Sequence, residues 1–245
     1  SSTSGFLGNT SIQRQNIENI TFMSSIPSTV YDMATNEIKN ANAWDVSEAG
    51  DNSIIAWYET QSSGALKIYI GSNYLIRANE NSSYLFAYIG YGSVCTATET
   101  ITNLDLLYTN NVTDMSYMFR KCGYNAMTNM DLGKNFDTSN VTNMTAMFGE
   151  LGVKAMMSLN LRDNFNTSNV TNMTYMFRYC GYKAMTDLDL GPAFTKIATT
   201  SNRFIDNCGK SGQTVINVPE SIYSDRTHFK YNTNSTTTIS YTRGT

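Results

Sequence analysis

The side chains best suited to metal chemistry lie in one short stretch, "NVTNMTYMFRYCG" at residues 169–181. Met173, Met176 and Cys180 supply thioether and thiolate groups, which suit a soft ion such as copper(I). They are separated by three and four residues, which is also the spacing of a buried helical stripe. The choice between a metal site and a packed core depends on whether the rest of the chain repeats the pattern.

The stretch belongs to an internal repeat. A V-T-[DN]-M motif recurs at a constant interval of 29 residues, beginning at Val112, Val141 and Val170. The middle copy has Leu151 at the position where its neighbours have Cys122 and Cys180. Leucine cannot bind a metal ion, whereas Leu, Met and free Cys all serve as apolar filler. The position is therefore predicted to belong to a core, and we expect neither a metal nor a cofactor.

Each repeat contains two recognisable elements. Apolar residues spaced three or four apart, as at Val141, Met144 and Met147, predict a helix. Alternation further along, as at Leu159-Asn160-Leu161, predicts a short strand with one buried face. A helix plus a strand per repeat is the leucine-rich-repeat pattern, here with about five rungs. Strands stack about 4.8 Å apart and helices about 8–10 Å apart. We therefore expect an α/β fold, a curved leucine-rich-repeat solenoid with parallel strands on its concave face.

The segments on either side of the repeats are predicted to be caps, because a single rung cannot bury its own apolar face. We expect an N-terminal β-rich cap at 1–77, the solenoid at 78–219 and a C-terminal cap at 220–245 that forms a β-hairpin. Strand-like runs in the first cap occupy residues 17–23, 53–59 and 65–71. The caps and the repeats together account for the whole chain.

Composition excludes several classes of protein. The chain has 17 basic and 20 acidic residues, a net charge of −3 and no basic cluster, which argues against nucleic-acid binding. No run of about 18 apolar residues predicts a membrane span. The four cysteines are expected to be free thiols, because helices about 8–10 Å apart exceed the roughly 7 Å Cα limit of a disulfide.

Three phrases resemble a known family. They are "FDTSNVTNMTAMF" at 136–148, "FNTSNVTNMTYMF" at 165–177 and "AWDVSEAGDNSIIAWYE" at 43–59. They are similar to the BspA-like leucine-rich-repeat surface proteins of bacteria, whose repeat is also called the Mycoplasma-type lipoprotein repeat. The resemblance covers roughly residues 43–190. It implies an extracellular or cell-surface location, adhesion to host matrix proteins or other bacteria, and no catalytic residues.

Two sets of side chains are candidates for ligand binding. The concave strand face is predicted to present Asn103, Asp105, Asn129, Asp131, Ser158, Asn160, Asp187, Asp189 and Asn217. Such a face suits sugar hydroxyls, a cation or a basic protein patch, but a polar row of this kind is more often simply a solvated strand surface. A rim follows the glycines that end the predicted helices, and it comprises Tyr91, Tyr124 and Tyr182. Tyrosine is an effective interface residue as well as a common edge filler.

Signs of catalysis are weak. The one histidine, His228, lies in the predicted hairpin, and acid–base catalysis needs partners brought together. A glycosidase needs a carboxylate pair with one pKa raised by burial, and nothing in the sequence predicts that burial. We therefore expect a non-enzymatic extracellular module, a monomer, that binds a host matrix protein, a glycan or another bacterial surface protein. The alternative is a structural spacer or stalk domain that presents other domains at the cell surface.

Overall fold

The computed structural model of the chain describes residues 5–209, 214–224 and 238–242. The strands in these ranges are β1 (Ile17–Met23), β2 (Tyr31–Asp32), β3 (Glu37–Ile38), β4 (Ala43–Asp45), β5 (Ile55–Thr60), β6 (Leu66–Gly71), β7 (Ile76–Arg77), β8 (Ile101–Thr102), β9 (Leu107–Tyr108), β10 (Ser158–Asn160), β11 (Asp187–Asp189), β12 (Val215–Pro219) and β13 (Thr238–Thr242). The helical elements are two 3₁₀ turns and one short α-helix, at Arg14–Asn16, Leu104–Leu106 and α1 (Glu220–Tyr223).

The N-terminal segment folds around a five-stranded sheet with the order β4-β5-β6-β1-β8. β4, β5 and β6 pair antiparallel, whereas β1 pairs parallel with both β6 and β8. In β1 the alternate residues Ile20 and Phe22 are buried, as period-two patterning requires. The strands predicted at 17–23, 53–59 and 65–71 are confirmed as β1, β5 and β6.

The repeats stack as layers joined by parallel backbone pairing. We number the layers 1 to 5 by the residues that bridge them in sequence, which are Asn81, Asp114, Asn143, Asn172 and Thr200. A second column of pairing runs through the four-stranded parallel sheet β10-β11-β12-β13. The main cluster of buried apolar side chains extends from Phe6 through all five layers to Ile222.

The predicted helices are absent, and the prediction of a helix-plus-strand leucine-rich-repeat solenoid is wrong. In the described residues α1 is the one α-helix, and it spans 220–223. The segment of layer 2 that was predicted to be helical is a series of turns, with left-handed φ at Tyr117 (60°) and Lys121 (59°). Tyr117 N–H donates to Thr145 O of layer 3 at 2.7 Å, whereas a helical N–H would donate four residues back along its own chain. The fold is β-rich, with several small sheets.

The turns bury the same residues that a helix would bury. Within layer 2 some N–H groups donate three residues back, as from Cys122 to Phe119 O at 3.0 Å, which is the bond of a β-turn. Each turn returns the chain to the core after three or four residues. Burial in layer 2 accordingly falls on Val112, Met115, Met118, Phe119 and Cys122. Apolar spacing alone cannot separate this path from a helix.

The prediction of a curved stack also fails, because it depended on helices being spaced more widely than strands. The stacked rings of Phe119, Phe148 and Phe177 on the turn side of the layers are 5.6 and 5.4 Å apart, close to the roughly 4.8 Å repeat of strands. The 8–10 Å spacing used to argue against disulfides is therefore wrong as well, since the N–H of Gly209, the residue after Cys208, donates to Cys180 O in the adjacent layer at 3.0 Å. All four cysteines are nevertheless free and buried.

Arg14 closes the N-terminal end of the stack. Its guanidinium donates to the carbonyl oxygens of Tyr84 and Leu85 in layer 1, both at 2.8 Å, and lies over the ring of Phe6. Burial lowers the pKa of Arg14 below its usual value. The contacts give layer-1 carbonyls a hydrogen-bond donor, and unsatisfied buried carbonyls would be destabilising.

The predicted C-terminal hairpin is tested only in part. β13 pairs parallel with β12, in contrast to the antiparallel pairing of a hairpin. Residues 225–237, which include His228, lie outside the described residues.

Candidate binding surfaces

The sulfur-bearing side chains that suggested a metal site lie in the core. Met173, Met176 and Cys180 each have 0% of their surface exposed. Burial, together with the neighbouring thiol of Cys208, raises the pKa of Cys180 well above its usual value, so this thiol is protonated and a poor ligand. Within the described ranges, no group of three or more His, Cys, Asp or Glu side chains is arranged to hold a metal ion.

The polar residues predicted to line the strands, which we call the strand face, align in rows from Asp131 and Ser158 onward, whereas Asp105 lies in a 3₁₀ turn and Asn103 has a left-handed backbone. Asp131 bridges to Asn160, which pairs with Asp189, which pairs with Asn217. Ser158 pairs with Asp187 in the parallel row. The first residues predicted for the two rows line a shallow cavity of 430 Å³ together with Arg162, and these residues are Asn103, Asp105, Asn129 and Asp131.

Several side chains of the strand face shape the backbone. Asp131 Oδ1 accepts the N–H of Gly133 at 2.8 Å, and Asp189 Oδ1 accepts the N–H of Gly191 at 3.0 Å. Each is an Asx turn, in which a carboxylate satisfies an N–H two residues on. Gly133 has φ of 74°, a left-handed conformation that glycine adopts readily.

Other atoms of the strand face bond to each other between layers. Asn160 Nδ2 donates to Asp189 Oδ2 at 3.2 Å, and Asn217 Nδ2 donates to Asp187 Oδ1 at 2.9 Å. Burial and the charge of Asp189 raise the pKa of Asp187, while the Asn217 bond opposes that shift. Much of the strand face is therefore occupied by internal bonds.

The polar residues of the repeat phrase also form hydrogen bonds within the protein. Buried threonines join the layers: the hydroxyl of Thr138 donates to Asn166 O and that of Thr167 to Lys196 O, both at 2.8 Å. Asn169 Nδ2 donates to Ser139 O of the preceding repeat at 2.7 Å. Hydrogen bonding within and between layers thus accounts for much of the phrase F-[DN]-T-S-N-V-T-N-M.

The tyrosines predicted to form a rim are only partly brought together. Tyr91 and Tyr124 make an edge contact with ring centroids 5.2 Å apart. Val153 occupies the equivalent position in layer 3 and is buried. Tyr182 lies beyond it, where it contacts Tyr179 at 5.3 Å.

Five further tyrosines extend the rim into a larger surface that sequence reasoning missed. They lie in left-handed conformations with φ between 57° and 66°, and they are Tyr84, Tyr88, Tyr117, Tyr175 and Tyr179. A sequence signal for them exists, because Y-x-x-x-[YK]-x-x-Y begins at residues 84, 117 and 175. We call the surface formed by these five, the three rim tyrosines and their cationic neighbours Arg120, Lys121, Lys154 and Arg178 the tyrosine face.

Ring stacking and cations order the tyrosine face. Tyr84 stacks on Tyr117 with centroids 4.6 Å apart and ring planes within 8°. The guanidinium of Arg178 lies 5.2 Å from the ring centre of Tyr175 and 5.1 Å from that of Tyr179. Such cation–π contacts are favourable by about 0.5–1 kcal/mol at exposed sites. The face therefore presents aromatic rings that are held in place before any ligand arrives.

Layer 3 interrupts the tyrosine face. It carries Ala146 where layers 2 and 4 carry Tyr117 and Tyr175, and Gly149 where they carry arginine. The gap is a cavity of 170 Å³, which we call the slot, lined by Tyr117, Arg120, Ala146, Gly149, Glu150, Tyr175 and Arg178. Glu150 lies 3.4 Å from both Arg120 and Lys121.

Comparison with known proteins gives one family match, which lies in the repeat region. Residues 92–211 match the family described as "Mycoplasma protein of unknown function, DUF285", a range that includes the bridging residues of layers 2 to 5. No curated protein and no solved structure matches the chain. In the described residues, no helix is long and apolar enough to cross a bilayer. The repeat region is therefore similar to a Mycoplasma-type repeat family, and the match does not extend to the BspA-like leucine-rich-repeat group in particular.

Proposed function

We propose that the chain is a non-enzymatic, extracellular binding module that holds a glycan or a protein through its tyrosine face. The observation that carries this proposal is the placement of five tyrosines in left-handed backbone conformations. A left-handed conformation disfavours a non-glycine residue by roughly 1–2 kcal/mol. Glycine or asparagine would be the inexpensive choice at such a position.

The backbone itself does not require aromatic side chains there. Layer 3 has Ala146 (φ 49°) and layer 5 has Asn207 (φ 58°) at equivalent positions with the same handedness. Tyrosine at the other layers therefore contributes through its side chain. Part of that contribution is contact between neighbouring rings, and the rest is consistent with a surface that binds a partner.

The physical properties of the face suit binding. Tyr117 and Tyr175 are half-buried, so part of each side chain is packed and part is accessible. Tyrosine buries a large area with few rotatable bonds and keeps a polar tip. Rings already ordered by stacking lose little further freedom when a ligand binds. The strand face offers less, since many of its polar atoms are bonded to one another.

The partner class follows from the resemblance of the repeat phrase to BspA-like surface proteins. A host matrix protein, a host glycan or another bacterial surface molecule fits an adhesin-like role at the cell surface. A monomer suffices, because the face lies within one chain.

A glycan and matrix-protein array with the purified chain tests the proposal. We expect capture of at least one class, weakened about tenfold or more in a Tyr124→Ala/Tyr182→Ala variant, since tyrosine is enriched among the interface residues whose truncation costs more than about 1 kcal/mol. The matched control is Asp131→Asn on the strand face, which keeps an oxygen for the Gly133 N–H and is expected to bind as the unchanged chain does.

Two results would contradict the proposal. Absence of capture across the array by a folded chain would favour the spacer function. Loss of capture in Asp131→Asn with retention in the tyrosine variant would move the binding surface to the strand face.

A further inference from the structure

We infer that the slot between layers 2 and 4 binds a single sugar ring that carries a carboxylate, such as the uronic or sialic acid residue of a glycan. The inference rests on the proposed function and specifies the ligand of one part of the tyrosine face. Four observations support it: the shape of the slot, its charge, its size and the residues that layer 3 lacks.

The shape of the slot favours a saturated ring. One side of the Tyr117 ring is covered by Tyr84 of layer 1, and the guanidinium of Arg120 lies over the ring, 5.7 Å from its centre. Tyr175 is two layers from Tyr117, and each layer step measures 5.4–5.6 Å at the adjacent phenylalanines. A flat aromatic ligand touches its neighbours at about 3.5–4.0 Å per side, which would leave the slot loosely filled. A puckered pyranose is thicker, so it better fills the space between the two walls, each of which is a tyrosine ring with a guanidinium over it.

The charge of the slot favours an acid. Arg120 and Lys121 both pair with Glu150 at 3.4 Å, and Arg178 pairs with Asp206 at 3.4 Å. Three cations and two carboxylates leave a local positive excess, although the whole chain carries a net charge of −3. Arginine binds carboxylates through paired, charge-assisted hydrogen bonds. A ligand carboxylate therefore complements the slot, whereas the ring hydroxyls suit Glu150.

The size of the slot favours one ring. Its volume of 170 Å³ is below the roughly 300–1,000 Å³ of pockets that enclose drug-sized ligands. A terminal or branch residue of a glycan can enter such a space while the rest of the chain lies across the neighbouring tyrosines.

The composition of layer 3 is what keeps the slot open. Gly149 is not among the residues with left-handed φ, so the backbone does not require glycine there. A Cβ at Gly149 would lie 3.2 Å from Ala146 O and 3.3 Å from Ala146 Cβ, a close approach that small shifts relieve. Two small residues therefore stand together where the neighbouring layers place a tyrosine and an arginine.

The test is a titration of the whole chain with methyl glucuronide and methyl glucoside, followed by NMR chemical shifts. The two probes differ in the carboxylate alone. We expect the glucuronide to bind at least about fivefold more tightly, because a charge-assisted arginine–carboxylate hydrogen bond is roughly twice as strong as a neutral one.

Filling the slot should remove the binding. Ala146→Tyr introduces the residue that layers 2 and 4 already hold at φ of 60°, so the variant is expected to fold. We expect its affinity for the glucuronide to fall by about tenfold or more, because the probe would lose its contacts with both walls. The control is Met157→Tyr, which adds the same ring at a side chain that is 54% exposed and outside the slot.

A second variant keeps the test decisive if Ala146→Tyr unfolds. Arg178→Gln removes one cation, and we expect the preference for the glucuronide over the glucoside to fall toward unity. Equal binding of the two probes by the unchanged chain would overturn the inference. So would a glucuronide preference that survives both variants.

Failure of this inference is separable from failure of the proposed function. If the array detects a partner that is lost in Tyr124→Ala/Tyr182→Ala while the glucuronide does not bind, the tyrosine face binds a partner but the assignment of the slot is wrong. If the array detects no partner, the binding function itself fails.

Discussion

The strand face and the tyrosine face recur through the same layers, but their side chains are used differently. On the strand face, Asp131 and Asp189 hold the backbone N–H groups of the glycines that follow them. On the tyrosine face, Tyr84 and Tyr117 stack on each other and Arg120 lies over the Tyr117 ring. Both tyrosines adopt a left-handed backbone conformation that disfavours residues other than glycine. The first face is explained by the requirements of the stack, whereas the second is not fully explained by them.

The comparison teaches how to interpret polar rows in a repeated structure. Stacked layers expose a backbone that turns often, and buried N–H and C=O groups must be paired. Asn, Asp and Thr supply that pairing with short side chains, so their recurrence is weak evidence for a ligand. A bulky residue repeated at a strained position is stronger evidence, because the backbone would favour a different residue.

The largest expected loss of stability comes from a substitution in the core, and it is the reference for substitutions on both faces. Phe148 is fully buried in layer 3, stacked between Phe119 and Phe177. Phe148→Ala should reduce the free energy of unfolding by about 3–5 kcal/mol, as large-to-small core changes do. Urea denaturation measures the change, and Phe148→Leu is the control with a smaller expected loss. A loss below about 1 kcal/mol would mean that the layers are not closely packed.

The strand face should show a moderate effect on stability. Asp131→Ala removes the acceptor of the Gly133 N–H, and we expect a loss of about 0.5–2 kcal/mol, similar to the loss of a helix cap. Asp131→Asn keeps an acceptor and should retain most of the stability. Equal stability of Asp131→Ala and the unchanged chain would show that the Asx turn is not needed, and the structural explanation of the strand face would weaken.

The tyrosine face should show a smaller effect on stability. Tyr175→Asn replaces an aromatic ring with a residue that tolerates left-handed φ. Losing the cation–π contacts lowers the stability, whereas relieving the left-handed backbone raises it, and each effect is of order 1 kcal/mol. We therefore expect a net change in the free energy of unfolding below about 1 kcal/mol. Urea denaturation against Phe148→Ala gives the comparison. A loss as large as that of Phe148→Ala would make the tyrosine face structural.

The smallest expected effect is a pH dependence on the strand face. The pKa of Asp187 is raised by burial and by Asp189, above the value of about 3.9 in the unfolded chain. The folded state therefore binds this proton more tightly than the unfolded state does. The resulting contribution to the free energy of unfolding is present below about pH 4 and is lost as the pH rises through the folded pKa. Asp187→Asn should gain stability relative to the unchanged chain as the pH rises above about 4. A constant difference between the two across this range would contradict the raised pKa.

Some of this architecture is accessible from the sequence. The interval of the repeat, the burial of Met173 and Phe177 and the row that joins Asp131, Asn160 and Asp189 depend only on the spacing of apolar and polar residues. These predictions are confirmed. The strands of the N-terminal sheet were predictable for the same reason.

The backbone conformation between Met115 and Cys122 could not be predicted from the spacing of apolar and polar residues. A helix and a series of turns bury residues at the same spacing, and they differ in φ and in the direction of the N–H groups. The prediction of helices also gave a wrong layer spacing. Helices would lie about 8–10 Å apart, whereas the stacked phenylalanine rings are 5.4–5.6 Å apart. The slot could not be predicted, since it depends on that spacing and on which side of a turn Tyr117 and Tyr175 lie.

Hydroxyl-radical footprinting with the strongest ligand from the array tests the central claim most directly. Tyr84 is 41% exposed on the tyrosine face, and Met157 is 54% exposed beside the strand face, so both are accessible to the radical. We expect the ligand to lower the oxidation of Tyr84, Tyr117 and Tyr175 and to leave that of Met157 unchanged. Protection of Met157 with unchanged oxidation of the tyrosines would contradict the claim that the tyrosine face is the binding surface.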